Sequence, residues 1–75
     1  MYTLMTDVVQ DIAAEKNITL NQIHAYLHLH AGITDEEFQR IMAGGEFESE
    51  TIVSLLAAVL ETPMGHFIRF EQVES

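Results

Sequence analysis

The chain has 75 residues, 48% of them apolar, and its twelve acids against three basic residues give a formal net charge of −9. A chain of this length holds one small domain of marginal stability, because a domain this size buries only about 60% of its extended-chain surface. The charge disfavours nucleic acid and anionic lipid as partners and favours a basic protein or no charged partner at all, and the absence of Cys excludes disulfides and thiolate metal sites.

The opening MYTLMTDVVQ has no basic start and no long apolar run, so no signal peptide is expected. The longest apolar run, Leu55 to Leu60, is far below the roughly 20 residues that span a bilayer. We expect a soluble, cytoplasmic protein without a membrane anchor. No linker, repeat or low-complexity tract interrupts the chain. A single domain over 1–75 is expected, with 69–75 a flexible or dimerising tail.

The first helix is expected over Thr3 to Lys16, where Leu4, Val8 and Ile12 recur at helical spacing and Met5, Val9 and Ala13 widen the stripe. Asn17 suits a left-handed helix end. The second runs from Leu20 to His30 behind Thr19 as N-cap, with Leu20, Ile23 and Leu27 inward. Ala31 and Gly32 end it, the glycine supplying positive φ. The third runs from Asp35 to Ala43. Thr34 caps it, Glu37 is placed to complete a capping box, and Phe38, Ile41 and Met42 face inward until Gly44 and Gly45 stop it. The fourth, Glu50 to Glu61 behind Ser49, is the most apolar, with Ile52, Leu55, Leu56, Val59 and Leu60, and so should be central. Thr62 then caps a last turn with Pro63 at its first position, and Met64, Phe67 and Ile68 close the core. The tail, FIRFEQVES, alternates weakly and fits a continued helix, a frayed end or a short edge strand.

The order of these features resembles the Cro- and lambda-repressor-like helix-turn-helix domains, the Xre-type fold. The resemblance is carried by Gly32-Ile33-Thr34, Arg40-Ile41, Gly44, Ser49 and the LLAAVL of 55 to 60 followed by Thr62-Pro63, and covers about residues 4 to 68. It implies an all-α fold of four to five short helices and a regulator of transcription. The third helix would then be the recognition helix, with Asp35, Glu36, Gln39 and Arg40 facing DNA or a partner. Gln39 suits adenine, and Asp35 and Glu36 can accept from the N4 amine of cytosine. Two departures stand out. The second helix is about one turn longer before Gly32 than in the resembled family, and His28 stands where a small residue would align.

The charge of that third helix argues against strong DNA binding. Each acid about 6 Å from a phosphate costs on the order of 0.7 kcal/mol even in the dielectric of water. Three such acids cost about 2 kcal/mol, of which one Arg returns roughly a third. Lys16, Arg40 and Arg69 are also too few to release many counterions. Asp35, Glu36 and Glu37 therefore read either as a solvated helix face or as a surface that docks a basic protein, as an antirepressor or DNA mimic would. The expected partners are DNA, bound weakly, or a basic protein.

Other constellations carry less. His24 and His28 share a helix face but lack a third ligand on that helix, so no metal site is expected. Phe47 reads as a plug between the third and fourth helices. Phe67, Ile68, Phe70 and Val73 carry apolar surface suited to core closure or a homodimer contact. Gly44-Gly45 has neither the lysine nor the strand of a phosphate loop, and Ser49 and Ser54 have no nearby base. No enzyme activity and no cofactor are expected.

Overall fold

The computed structural model describes residues 1–70. It is mostly helical, with strand β1 (Tyr2–Leu4), helices α1 (Thr6–Glu15), α2 (Leu20–Ala31), α3 (Asp35–Met42) and α4 (Glu50–Leu60), a 3-10 turn at Met64–His66, and strand β2 (Ile68–Phe70). The expected four helices are present, and a small two-stranded sheet is added to them.

That sheet changes the reading of both ends of the described chain. Thr3 and Leu4, expected at the start of the first helix, belong to β1. This strand pairs antiparallel with β2 in the register Tyr2↔Phe70, Thr3↔Arg69 and Leu4↔Ile68. The Met5 amide extends the ladder by donating to the Phe67 carbonyl at 2.8 Å. On its other edge β1 meets Phe47, whose amide donates to the Tyr2 carbonyl while the Tyr2 amide donates to Phe47. Leu4 keeps the buried place the helical stripe gave it, but on a strand. Of the three forms open to the tail, the strand is realised as far as Phe70.

Helix ends follow local chemistry. α1 closes with the Ile18 amide on the Ala13 carbonyl and the Asn17 amide on that of Ala14, with Asn17 left-handed at φ 58°. This is a Schellman motif, and Ile18 tucks against the core behind it. Thr19 caps α2 in a full capping box, its hydroxyl accepting from the Gln22 amide at 3.1 Å while Gln22 Oε1 accepts from the Thr19 amide at 2.8 Å. Gly32 ends α2 at φ 66°. Thr34 caps α3 by accepting from the Glu37 amide at 3.2 Å. The expected return bond from Glu37 to the Thr34 amide is absent, because Glu37 Oε1 takes the Thr34 hydroxyl instead. Ser49 caps α4. Thr62 is not a cap: its hydroxyl donates back to the Leu60 carbonyl, and Pro63, extended at φ −57° and ψ 139°, precedes the 3-10 turn.

One core holds these elements together. Val9 and Ala13 of α1, Ile23 and Leu27 of α2, Phe38 and Ile41 of α3, and Ile52, Val53, Leu56 and Leu60 of α4 are buried with Leu4, Ile33, Phe47, Phe67 and Ile68. α4 packs chiefly on α2. Phe47 is the core plug the sequence suggested. Leu20 and Met64, expected inside, are exposed; each is the first residue of its element. No helix among the described residues is long and apolar enough to cross a membrane.

Candidate interaction surface on the third helix

Gly32, Ile33 and Thr34 set how α3 leaves α2. Gly32 turns the chain with a left-handed backbone, Ile33 drops into the core at 2% exposure, and Thr34 starts the next helix. Phe38 and Ile41, three residues apart, fix the inner face of α3. The opposite face is forced outward. Asp35, Glu36, Glu37, Gln39 and Arg40 are all exposed, so the four residues read as contacting DNA or a partner share one accessible helix.

Its charge is divided along the axis. Asp35, Glu36 and Glu37 fill the first turn and Arg40 lies in the last, about 7.5 Å along the helix from Asp35. Acids at the N-terminus and a cation at the C-terminus both suit the helix dipole. Glu36 and Arg40 have the spacing of a helical ion pair, yet Arg40 pairs with no acid among the described residues. The Arg40 carbonyl accepts from the Gly45 amide at 2.8 Å. A Cβ on Gly45 would lie 2.7 Å from both that oxygen and Arg40 Cγ, so the glycine is required for the chain to fold back over Arg40.

The other two cations lie on other segments of the chain. Lys16 Nζ donates to the Glu61 carbonyl at 3.0 Å, serving the end of α4. Arg69 lies on β2 opposite Thr3. Lys16 follows the end of α1, Arg40 is in α3 and Arg69 is in β2.

Sequence reasoning missed what happens where α2 meets α3. The His24 ring lies nearly parallel to Phe38, with centroids 4.6 Å apart and planes 15° apart. Its Nε2 stands 2.9 Å from Asp35 Oδ1. That distance is one of an ion pair, but the ring N–H direction misses the carboxylate, and Nε2 is buried without a hydrogen bond. A hydrogen bond fails when badly aligned however short it is. His28 Nδ1 lies 3.0 Å from the Ile33 carbonyl. A carbonyl only accepts, so Nδ1 carries the proton and Nε2 of the neutral ring is left as an acceptor. Asn21, His24, Ala25, His28 and Asp35 line an open cleft here.

The carboxylate that α2 lacks beside its histidines is therefore supplied by α3. Even so, no group of His, Asp or Glu among the described residues is arranged to hold a metal ion. His30 faces elsewhere, its ring 4.4 Å from that of Tyr26. The shared helical spacing of His24 and His28 was visible in the sequence. Asp35 was not, since its approach depends on how the two helices cross.

The proposed dimer contact divides differently. Phe67 and Ile68 are buried, at 0% and 8% exposure, in this chain's own core, which leaves neither of them surface for a second copy. Phe70 is 58% exposed, with its ring 5.2 Å from that of Tyr2. Val73 lies outside the described residues.

Compared with known proteins, the chain matches no family model, no curated protein and no solved structure.

Proposed function

We propose that this chain is a small regulatory module of the Cro and lambda-repressor helix-turn-helix type. It acts in transcriptional control and engages DNA weakly or only beside a partner. One observation carries this reading. A short helix, capped by Thr34 after a left-handed Gly32 and anchored by Phe38 and Ile41, turns Asp35, Glu36, Gln39 and Arg40 outward together. The assignment to transcription rests on the likeness of that layout to known regulators.

A second reading is a protein-interaction module that uses the same scaffold without DNA. It is favoured by the engagement of Lys16 with the Glu61 carbonyl, which ties down one of three cations in a chain of net charge −9. Phosphate contacts hold a reading helix in register, and they come largely from Lys and Arg.

Fluorescence anisotropy with random and genomic duplex DNA separates the two. Saturable binding that weakens as salt rises supports DNA engagement. No binding at about 50 mM salt, where poor phosphate binders still show affinity, removes it. Replacing Asp35, Glu36 and Glu37 together by their amides should raise any DNA affinity and weaken a complex with a basic protein.

A further inference from the structure

We propose that the outer face of α2 is a self-association surface, on which two copies of this chain pack their α2 helices across a two-fold axis near Ala25. The proposal goes beyond both readings above, since it needs neither DNA nor a basic partner.

Charge marks the face. From Asn17 through Thr34 no residue carries a formal charge, so all twelve acids and all three basic residues lie elsewhere. In a chain of net charge −9, two copies repel wherever acids face each other. Among the described residues α2 is the one α-helix without an acid. Ile23 and Leu27 hold it against the core. The helical period sends Asn21, Gln22, Ala25, His28 and Leu29 to the far side, where all five are exposed. Leu29, at 78% exposure, is the most exposed large apolar side chain among the described residues. Ala25, one turn before it, has only a methyl group, which lets a second helix come close.

A surface that meets its own copy must complement itself, residue i touching j while j touches i. Charged side chains near the axis fail that condition, because like meets like. This face passes it. Asn21 and Gln22 each carry both donor and acceptor groups. His28 offers Nε2 as an acceptor, its Nδ1 proton being held by the Ile33 carbonyl. With the two helices antiparallel about Ala25, Leu29 of one copy falls beside Asn21 of the other, and the reverse. Other occupants find less here: a basic protein meets no carboxylate on this face, and DNA meets no cation.

Area and charge set the strength. α2 has 12 residues and is about 18 Å long. One helix face of that length falls short of the roughly 800 Å² per partner in a standard interface, so the pair is weak and forms at about 0.1–1 mM. Repulsion between the acidic surfaces outside the contact fades as salt shortens the screening length from about 30 Å to below about 8 Å. Self-association therefore tightens as salt rises, the opposite of a complex with DNA.

The test follows the ¹⁵N-labelled full chain by sedimentation and by amide shifts over a dilution series from about 1 mM, at about 50 mM and about 0.5 M salt. We expect a reversible dimer, tighter at the higher salt, with concentration-dependent shifts on Asn21, Ala25, His28 and Leu29. Leu29→Asp, at an exposed position where circular dichroism should show the fold kept, should weaken association about ten-fold or more, as like charges at a contact do. Ala25→Glu and Ala25→Lys should each be monomeric alone and pair when mixed, as a symmetric contact across Ala25 requires. Phe70→Ser should leave association unchanged. A chain that stays monomeric at about 1 mM in the higher salt overturns the proposal. So do concentration-dependent shifts that centre on Tyr2 and Phe70 and vanish in Phe70→Ser, which would put the contact at the sheet. Neither failure touches the DNA or basic-partner readings, which rest on their own titrations.

Discussion

The α2–α3 junction and the terminal sheet are built by opposite means. At the junction, Thr19, Gly32 and Thr34 each act on groups within four residues of themselves, and the outer face of α3 is left polar from Asp35 to Arg40. In the sheet, Leu4 meets Ile68 and Tyr2 meets both Phe47 and Phe70, contacts that join the two ends of the described chain. A junction held by local bonds can change its exposed residues at little cost to the fold, which is where a binding surface is free to vary. A sheet held by distant partners has most of its apolar side chains committed to stability.

The sharpest way to break this contrast is Phe67→Ala. Phe67 has no exposed surface, and truncating a buried Phe costs about 3–5 kcal/mol. Total stability for a chain of this length is roughly 4–11 kcal/mol, so urea unfolding followed by circular dichroism should show a variant close to unfolding. A loss under about 1 kcal/mol, at the small end for any core truncation, would mean the sheet end is dispensable. At the junction, Gly32→Ala should cost about 1–2 kcal/mol, since φ 66° is strained for any side chain even though the space is open. Thr34→Ala should cost about 1 kcal/mol through the lost cap. In both variants α3 should stay docked through Phe38 and Ile41, which amide exchange at those positions would check.

Smaller effects refine the comparison. Glu61 occupies the left-handed end of α4 at φ 49°, a place glycine fills without strain. Glu61→Gly should stabilise the chain by up to about 1 kcal/mol, and it retains the carbonyl that Lys16 holds. A fall in melting temperature would show that the Glu61 side chain does more than the backbone suggests. Phe70→Ser, at an exposed position, should change stability by no more than about 0.5 kcal/mol. Sedimentation of the same variant addresses self-association: any dimer formed through the exposed end of β2 should dissociate while the monomer stays folded.

Much of the helical layout was legible because its causes are short-range. Thr19, Thr34 and Ser49 are caps in the structure, and Gly32 is left-handed. Ile23, Leu27, Phe38, Ile41, Leu56 and Leu60 are buried as their spacing required. The first helix was drawn too early because Leu4, Val8 and Ile12 satisfy a helical stripe. That stripe cannot reveal that Leu4 has a strand partner near the other end of the chain. Val53 was passed over because α4 is apolar on several sides, which blurs its stripe. In the candidate site, the exposed row on α3 followed from its two apolar anchors, and the cleft beside it did not.

By itself the sequence determined the caps that open α2, α3 and α4, many of the residues that form the core, and the negative sign of the net charge. Those depend on side-chain chemistry within a turn or on a simple sum of charges. The tertiary structure alone decided that Thr3 and Leu4 pair with Arg69 and Ile68, and that Asp35 comes to rest against His24. Those contacts depend on how separate elements pack in three dimensions, and no local pattern encodes that geometry.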